Sequence, residues 1–459
     1  MLFNSQYFVI FFLPIFICIY FGLSRVNRRV MVWALIIASI IFYLPFGIRD
    51  VLLLSASLVF NWIAGFVISK YRNTAVLLVS VTVNVIGLLF FKYGGNGNLL
   101  LPIGISFYTF QQISFLVSVY RGNTGFKIEE YLAYILFFPK LLMGPLTEYD
   151  DFLNCVRNED LRKIRYCNIA NGILLFIQGL SKKVLIADVC ARGVDWGITN
   201  HVSATRTELL VTMLLYTFQI YFDFSGYSDM ARGIAKMLNI ELPINFDNPY
   251  RAVSIIDFWK RWHITLTSFL TRYVYYPIGG NRKGKTRTYI NILIVFLVSG
   301  IWHGSNLTFI LWGVLHGVLN VLERVTKKHL ERIPRMIRWM ATFILINILW
   351  LLFRADSIEQ WVLILRSIVF ENPNHGLLTE SMINAVILPW LLTQGHTGLK
   401  LIKLIMMLLW LAGCIVLSII PDGNKEKPIT GYTAIAGAVL FVVCFAFMGR
   451  ESVFIYSGF

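Results

Sequence analysis

One apolar run in this chain leads directly into an ionisable ring. It reads Tyr289-Ile290-Asn291-Ile292-Leu293-Ile294-Val295-Phe296-Leu297-Val298-Ser299-Gly300-Ile301-Trp302-His303-Gly304. An apolar run of this kind indicates a membrane-spanning helix. A histidine at the end of such a span is costly to keep there, and by default it marks a functional site. Its pKa, about 6.5 when unperturbed, suits proton transfer near neutral pH.

The whole chain has the composition of a polytopic membrane protein. Of its 459 residues, 57% are hydrophobic and only 14% are charged, and the mean hydropathy is +0.67. Soluble proteins carry about 25% charged residues. The net charge of +16 does not indicate nucleic-acid binding, because the basic residues lie in short clusters between apolar runs. No phosphate-binding glycine loop occurs, and His263 and His303 lack the spacing of a helical zinc pair, so no metal site is predicted.

Candidate spans follow one another along most of the chain. We predict an all-α polytopic protein with roughly 11–13 transmembrane helices plus re-entrant and interfacial helices. Basic and uncharged loops alternate in the first third, which predicts an outside N-terminus and a cytoplasmic Arg25, Lys70 and Arg121. The basic stretch 323–338 is also predicted to be cytoplasmic. The apolar runs are 7–23, 30–44, 51–69, 75–91, 99–120, 209–224, 289–302, 307–322, 336–353, 399–420 and 432–448.

Several stretches do not have the pattern of simple spans. Segment 245–285 is too apolar for a solvent loop and too polar for a span, so we predict re-entrant or amphipathic elements packed into the bundle. Segment 147–166 is amphipathic and predicts an interfacial helix. The apolar run 209–224 is expected to end at the polar motif 223–229, and 373–398 is expected to be a loop broken by a short helix.

A second histidine lies 40 residues upstream of the first, in Asp257-Phe258-Trp259-Lys260-Arg261-Trp262-His263-Ile264-Thr265. Both histidines follow a tryptophan, and both are flanked by small polar or charged residues in an otherwise apolar protein. This setting favours a functional role over packing, and the separation allows two neighbouring elements to face each other. His316 fits a functional and a packing role equally well. The remaining histidines are expected to lie in polar segments or loops: His201, His329, His375 and His396.

Charged residues surround His263. Lys260, Arg261 and Arg272 fit the binding of an anionic acyl-donor phosphate or of a carrier. Interfacial snorkelling accounts for these cations equally well. Asp257 either pairs with Arg261 at i, i+4 or orients a histidine ring. These residues are compatible with an acyltransferase, a proton-coupled transporter or a membrane hydrolase.

Several motifs together resemble the signatures of membrane-bound O-acyltransferases, and in particular the bacterial branch typified by the alginate O-acetylase membrane subunit. The resemblance extends from about Leu2 to the C-terminus. The terminal hexapeptide 454–459 resembles the aromatic tail of that branch, with Ser457-Gly458 where Phe-Gln is common. The motifs are the two histidine segments above, Tyr275-Tyr276-Pro277-Ile278-Gly279-Gly280-Asn281-Arg282, Leu101-Pro102-Ile103-Gly104-Ile105-Ser106-Phe107-Tyr108-Thr109-Phe110-Gln111, Phe138-Pro139-Lys140 with Gly144-Pro145, and Tyr221-Phe222-Asp223-Phe224-Ser225-Gly226-Tyr227-Ser228-Asp229.

The resemblance implies a site and a reaction. His303 matches the family's essential histidine and His263 its second active-site histidine, near the floor of a central funnel or tunnel. A single integral-membrane domain, 1–459, with a motif-bearing core at about 99–323, is expected. The expected substrate-binding residues are Asp257, Trp259, Lys260, Arg261, Trp262 and Trp302.

The resemblance also implies the partners of the reaction. It implies a chain surrounded by membrane lipid in the bacterial cytoplasmic membrane, with no tightly bound cofactor. A cytoplasmic donor, acetyl-CoA, would supply acetyl for an extracytoplasmic polysaccharide, an exopolysaccharide or another cell-envelope polymer, through an SGNH-type partner. D-alanyl transfer to teichoic acid from a carrier protein is the alternative within the superfamily. A polytopic proton-coupled transporter with a relay histidine is the alternative from another class.

Overall fold

The computed structural model describes residues 1–94, 101–122, 125–370, 378–387, 400–420, 430–448 and 454–455. Within these ranges the chain forms helices and turns and no strand. The α-helices are α1 (Leu13–Ser24), α2 (Arg28–Tyr43), α3 (Ile48–Tyr71), α4 (Thr74–Tyr93), α5 (Ile105–Tyr120), α6 (Ile128–Leu136), α7 (Phe138–Leu141), α8 (Tyr149–Arg157), α9 (Tyr166–Ser181), α10 (Asp188–Thr199), α11 (Arg206–Met237), α12 (Ile255–Arg261), α13 (Ile264–Leu270), α14 (Gly284–His303), α15 (Leu307–Leu330), α16 (Arg335–Arg354), α17 (Ile358–Val369), α18 (Glu380–Val386), α19 (Lys400–Ile419) and α20 (Gly431–Phe447).

The lengths of these helices confirm an all-α multi-pass membrane protein. Seven helices in the described ranges are long and apolar enough to cross a membrane, and two shorter apolar helices, Phe8–Ser24 and Gly431–Phe447, accompany them. Helices α5 and α14 also occupy runs that the sequence predicts as spans. The seven are Arg28–Phe46, Ile48–Tyr71, Thr74–Tyr93, Arg206–Met237, Leu307–Leu330, Arg335–Arg354 and Leu401–Ile419.

Helix α11 departs most from its predicted bounds. The sequence places its end at the polar motif 223–229, but the helix runs unbroken to Met237. Within it, a carboxylate oxygen of Asp223 accepts a hydrogen bond from Nζ of Lys183 at 2.7 Å. The same ammonium lies 2.9 Å from Asp188, and Lys183 and Asp223 are buried. Because the aspartate is paired in this way, the helix can carry it through an apolar layer.

The stretches without a simple span pattern fold as short elements. Segment 245–285 forms Pro249–Arg251, α12, α13 and Thr271–Tyr275, none of which is long enough to span, as predicted. Segment 147–166, predicted as one interfacial helix, instead forms α8, nine residues long, and the short 3-10 helix Glu159–Arg162; its place at the membrane surface stays a prediction. Of the predicted loop 373–398 only 378–387 are described, and they contain the expected short helix, α18; the rest lies outside the described residues, as does most of the terminal hexapeptide.

The chain forms two compact units. The first comprises Met1–Ser181, Phe224–Ile244 and Glu426–Phe459, and the second comprises Lys182–Asp223 and Asn245–Lys425. In the first unit, Asn61 of α3 and Asn84 of α4 exchange side-chain amide hydrogen bonds of 3.1 and 2.7 Å. The second unit contains both motif histidines and the cluster of tryptophans around them.

A close approach of two helices in the second unit positions those histidines. Helices α14 and α15 form an antiparallel hairpin whose backbones meet at Gly300 and Gly313. A Cβ added to Gly300 would lie 2.6 Å from the carbonyl oxygen of Phe309, and one added to Gly313 would overlap the carbonyl oxygen of Phe296. Small residues permit this kind of approach between membrane helices. His303 and His316 each follow one of these glycines by three residues, so the hairpin contact sets where both rings lie.

We predict that Gly313→Ala destabilises the protein. The new methyl group has to displace the backbone of α14, and overpacking of this kind costs about 1–3 kcal/mol. The measurement is the thermal midpoint of the purified protein in detergent. Gly413→Ala in α19 is the matched control, because a Cβ there meets nothing within 4 Å. Equal midpoints for Gly313→Ala and the wild type would show that the hairpin contact is not tight.

Candidate active site

His303 is the last residue of α14, and its ring is enclosed by aromatic side chains. The residue is 3% exposed. Its ring centroid lies 4.7 Å from that of Trp302, 5.1 Å from that of Trp312 and 5.1 Å from that of Phe353. The helix ends because Gly304 is extended, with φ 177° and ψ 174°. The ring is therefore held at the turn of the α14–α15 hairpin with little freedom to rotate.

His263 stands between two short helices in an uncommon backbone conformation. Its φ of 44° and ψ of 52° are left-handed, which is infrequent for a residue with a side chain and is often found at functional sites. Its Nδ1 lies 3.1 Å from Oδ1 of Asn245, and that oxygen also accepts from the backbone N–H of Thr265 at 3.2 Å. Because the oxygen can only accept, Nδ1 carries the proton, and Nε2 holds the lone pair in the neutral ring.

The protonation of His263 follows from its burial. Segment 245–285 contains no candidate span, and the ring is enclosed by protein. Burial lowers the pKa of His263 from 6.5 to about 3, because desolvation penalises the imidazolium. The ring is therefore neutral at physiological pH, with its tautomer fixed by Asn245.

The structure brings the two motif histidines together through one tryptophan. The centroid of the Trp302 ring lies 6.3 Å from that of His263 and 4.7 Å from that of His303. Both histidines belong to the same compact unit. The sequence hypothesis that they lie on facing elements agrees with this geometry, while their chemical roles stay predictions.

The other predicted site residues of α12 divide between two environments. Asp257 accepts from Nε of Arg261 at 2.9 Å, the i, i+4 pair that the sequence suggests, and Arg261 also contacts Asp247 at 3.2 Å. Lys260 is exposed. Trp262 is 1% exposed and packs inside an aromatic core, 4.8 Å from the ring of Trp350.

Asp257 and Lys260 line a cavity of about 930 Å³ in the second unit. Its walls come from α12, the start of α14, the end of α15 and the start of α16. Apolar side chains such as Leu319 and Leu345 cover part of the walls. The charged lining residues are five basic, Lys260, Lys285, Arg324, Lys327 and Arg338, and three acidic, Asp257, Glu323 and Glu331.

Two residues of this region are not assigned by the sequence patterns. Asn245 orients His263 from 18 residues upstream, and no local motif links the two. His316 accepts a hydrogen bond at Nδ1 from Nε1 of Trp259, at 3.2 Å. The signal that could have found His316 is its i, i+4 spacing from Trp312 on α15, which puts both rings on one helix face.

Comparisons with known proteins find relatives over most of the chain. A model of MBOAT, the membrane-bound O-acyltransferase family, matches residues 123–355, which include both motif histidines. A peptidoglycan O-acetyltransferase of Helicobacter pylori is 37% identical over 421 residues, covering 80% of this chain and 80% of that protein.

The chain belongs to the membrane-bound O-acyltransferase family. A probable alginate O-acetylase of Pseudomonas aeruginosa is 36% identical over 388 residues, covering 78% of this chain and 73% of that protein. A teichoic acid D-alanyltransferase of Bacillus subtilis is 29% identical over 251 residues, covering 50% of this chain and 62% of that protein. Membership of this family makes the chain an O-acyltransferase and decides against the transporter alternative.

Proposed function

We propose that this O-acyltransferase moves acetyl groups from cytoplasmic acetyl-CoA to an acceptor on the outer face of the bacterial cytoplasmic membrane, for O-acetylation of a polysaccharide. The observation that carries the proposal is the arrangement of His263, Trp302 and His303 as neighbouring rings in the unit that also holds the charged cavity. An activating histidine and a place for an anionic donor are the two parts that acyl transfer requires.

The relatives favour acetyl over D-alanyl. Two relatives that share 36–37% identity over about four fifths of this chain are named for O-acetylation. The relative named for D-alanyl transfer shares 29% identity over half of it. Their names, peptidoglycan O-acetyltransferase and alginate O-acetylase, support an envelope or extracellular polysaccharide as the final acceptor.

The charged cavity suits an acyl-CoA donor. Its five cations outnumber its three carboxylates, and phosphate groups are bound well by clustered lysine and arginine side chains. Several of its residues belong to the basic stretch 323–338, which is predicted to be cytoplasmic. The apolar walls suit the arm that carries the thioester. The cavity therefore offers a binding place for a cytoplasmic donor in the unit that contains the histidines.

In the proposed reaction His303 acts as the general base. It takes the proton of an acceptor hydroxyl while that oxygen attacks the carbonyl carbon of the thioester. The carbon–oxygen bond forms, the carbon–sulfur bond breaks, and the thiolate takes the proton from the His303 imidazolium. The products are an acetyl ester and free CoA. The neutral His263 orients the acceptor hydroxyl through the lone pair on Nε2.

The direct acceptor in this proposal is a serine hydroxyl of an SGNH-type partner outside the membrane. The partner then passes the acetyl group to the polysaccharide.

The donor proposal predicts a specific effect of two cavity cations. Lys285→Gln combined with Lys327→Gln should raise KM for acetyl-CoA about tenfold and leave kcat within about threefold, because two weak charge contacts together contribute about 1.4 kcal/mol. The measurement is transfer of labelled acetyl by the purified protein in detergent. High salt should raise KM of the wild type more than that of the variant.

A matched pair of exposed cations serves as the control. Arg287→Gln combined with Lys328→Gln removes the same charge from the same two helices, at positions that do not line the cavity. This control should keep the wild-type KM. Equal KM values for all three proteins would locate the donor elsewhere. If the enzyme accepted D-alanine from a carrier protein and did not accept acetyl-CoA, acetyl-CoA would be ruled out as the donor.

A further inference from the structure

His316 is buried in the same aromatic stack as His303, one helical turn from the charged cavity. It is 0% exposed. Its ring centroid lies 4.7 Å from that of Trp312, which in turn lies 5.1 Å from that of His303. Leu319, which lines the cavity, follows it by three residues, a rise of about 4.5 Å along the helix. Along α15, His316 thus lies between Trp312, which contacts His303, and the cavity-lining Leu319.

The hydrogen bond from Trp259 fixes which nitrogen of His316 carries the proton. An indole N–H can only donate, so Nδ1 of His316 accepts it, and the proton of the neutral ring is on Nε2. Trp259 packs 5.1 Å from the His316 ring and 5.7 Å from the Trp312 ring. The Nε2–H group of His316, on the side of the ring away from Trp259, is therefore available as a hydrogen-bond donor.

Three N–H donors in this stack have no hydrogen-bond acceptor within the ranges of the chain that the structure describes. They are Nε2 of His316 and Nε1 of Trp312 and Trp350. The rings of Trp312 and Trp350 stack at 5.8 Å, and Trp350 lies 6.5 Å from His316. A buried donor without an acceptor costs about 1–3 kcal/mol, so a cluster of three in one unit suits an oxygen atom that only accepts.

We propose that His316 is a third active-site histidine, which donates its Nε2–H to the carbonyl oxygen of the acyl donor, with Nε1–H of Trp312 as a second donor. The assignment rests on the proposed function, since it requires a thioester in this unit. As the acceptor hydroxyl adds to the carbonyl carbon, the carbonyl oxygen gains negative charge, and fixed N–H donors stabilise that charge. The proton stays on His316 throughout. Trp259 is a positioning residue, because it acts through the tautomer of His316.

Four variants separate this role from packing. His316→Leu removes the N–H, His316→Gln restores an N–H close to the position of Nε2, and Trp259→Phe removes the bond that fixes the tautomer. We expect His316→Leu to lower kcat for acetyl transfer about 10²–10³-fold, with the Kd for CoA changed less than about threefold. His316→Gln should recover at least about tenfold of that loss, and Trp259→Phe should be intermediate. Trp361→Phe is the control, because its indole also donates a hydrogen bond, at 3.1 Å to the carbonyl oxygen of Ile348.

Infrared spectroscopy tests the proposed hydrogen bond between His316 and the carbonyl oxygen of the acyl donor. Acetyl-CoA labelled with ¹³C at the carbonyl is bound to the His303→Ala protein, and its infrared carbonyl band is compared with that in His303→Ala combined with His316→Leu. A hydrogen-bonded carbonyl absorbs at lower frequency, so the band should move up when His316 is replaced. An unmoved band, as expected if the N–H groups bind only water, overturns the assignment.

The kinetic outcomes also distinguish the two proposals. If the wild type transfers acetyl and a folded His316→Leu protein is equally active, or if the Gln and Leu variants are equally impaired, His316 is a packing residue and the proposed function stands. If the wild type does not use acetyl-CoA, the proposed function fails, and the assignment of His316 fails with it.

Discussion

Acetyl transfer is expected to fall by at least about 10³-fold in His303→Ala, because a general base contributes about 10²–10⁴ to the rate and no aromatic side chain in contact with its ring can replace it. The residues around His303 are aromatic, with Trp302, Trp312 and Phe353 in contact with its ring. None of these three side chains accepts a proton at neutral pH. The loss should appear in kcat, with the affinity for CoA little changed. The measurement is the rate of labelled acetyl transfer at saturating acetyl-CoA.

Two controls separate lost chemistry from lost folding. His303→Gln keeps more of the buried volume than alanine and should be equally inactive, because an amide cannot act as a base near neutral pH. His329→Ala changes an exposed histidine on α15 and should leave the rate unchanged. The result that contradicts the role is a folded His303→Ala protein whose kcat lies within about threefold of the wild type.

The second large effect is expected for His263. His263→Ala should lower the rate about 10²-fold, since it removes both the ring next to Trp302 and the hydrogen bond to Asn245. Residues that act as a unit show strongly non-additive effects. Because the two histidines flank one tryptophan, the double variant with His303→Ala should be within about threefold of His303→Ala alone. Single-turnover assays with labelled donor make these low rates measurable.

If His263 and His303 acted at independent sites, the comparison of the single and double variants would give a different result. The two losses would then multiply, and the double variant would be about 10²-fold slower than His303→Ala alone. His329→Ala combined with His303→Ala provides the reference for an unrelated histidine. A His263→Ala enzyme with the wild-type rate and the wild-type Kd for CoA would remove His263 from the site.

The helical architecture could be predicted from the sequence because hydropathy acts locally. Each apolar run is long enough to indicate a span by itself. Five helices therefore begin close to the first residue of their predicted runs: α2, α3, α4, α15 and α16. The end of α11 could not be predicted in this way. Its polar motif continues the helix because Lys183, 40 residues upstream, pairs with Asp223. The local composition of a segment cannot predict such a long-range ion pair.

The candidate site could likewise be predicted from the sequence only in part. A tryptophan-histidine pair predicts His303 at the end of a span and His263 in a stretch too polar to span, and their chemical roles stay predictions. The hydrogen bond that selects one tautomer of His316 runs from Trp259 on α12 to His316 on α15, 57 residues further along the chain. That contact joins residues distant in sequence, so composition alone leaves His316 between a functional and a packing role.

Transfer of acetyl across the membrane from a cytoplasmic donor is tested most directly in sealed vesicles. The protein is reconstituted into vesicles with labelled acetyl-CoA outside and the purified extracytoplasmic acceptor partner enclosed. Vesicles in which the 323–338 side faces outward should label the enclosed partner, and those with His303→Ala should not. Label that reaches the partner only when donor and partner are on the same side would contradict transfer across the membrane.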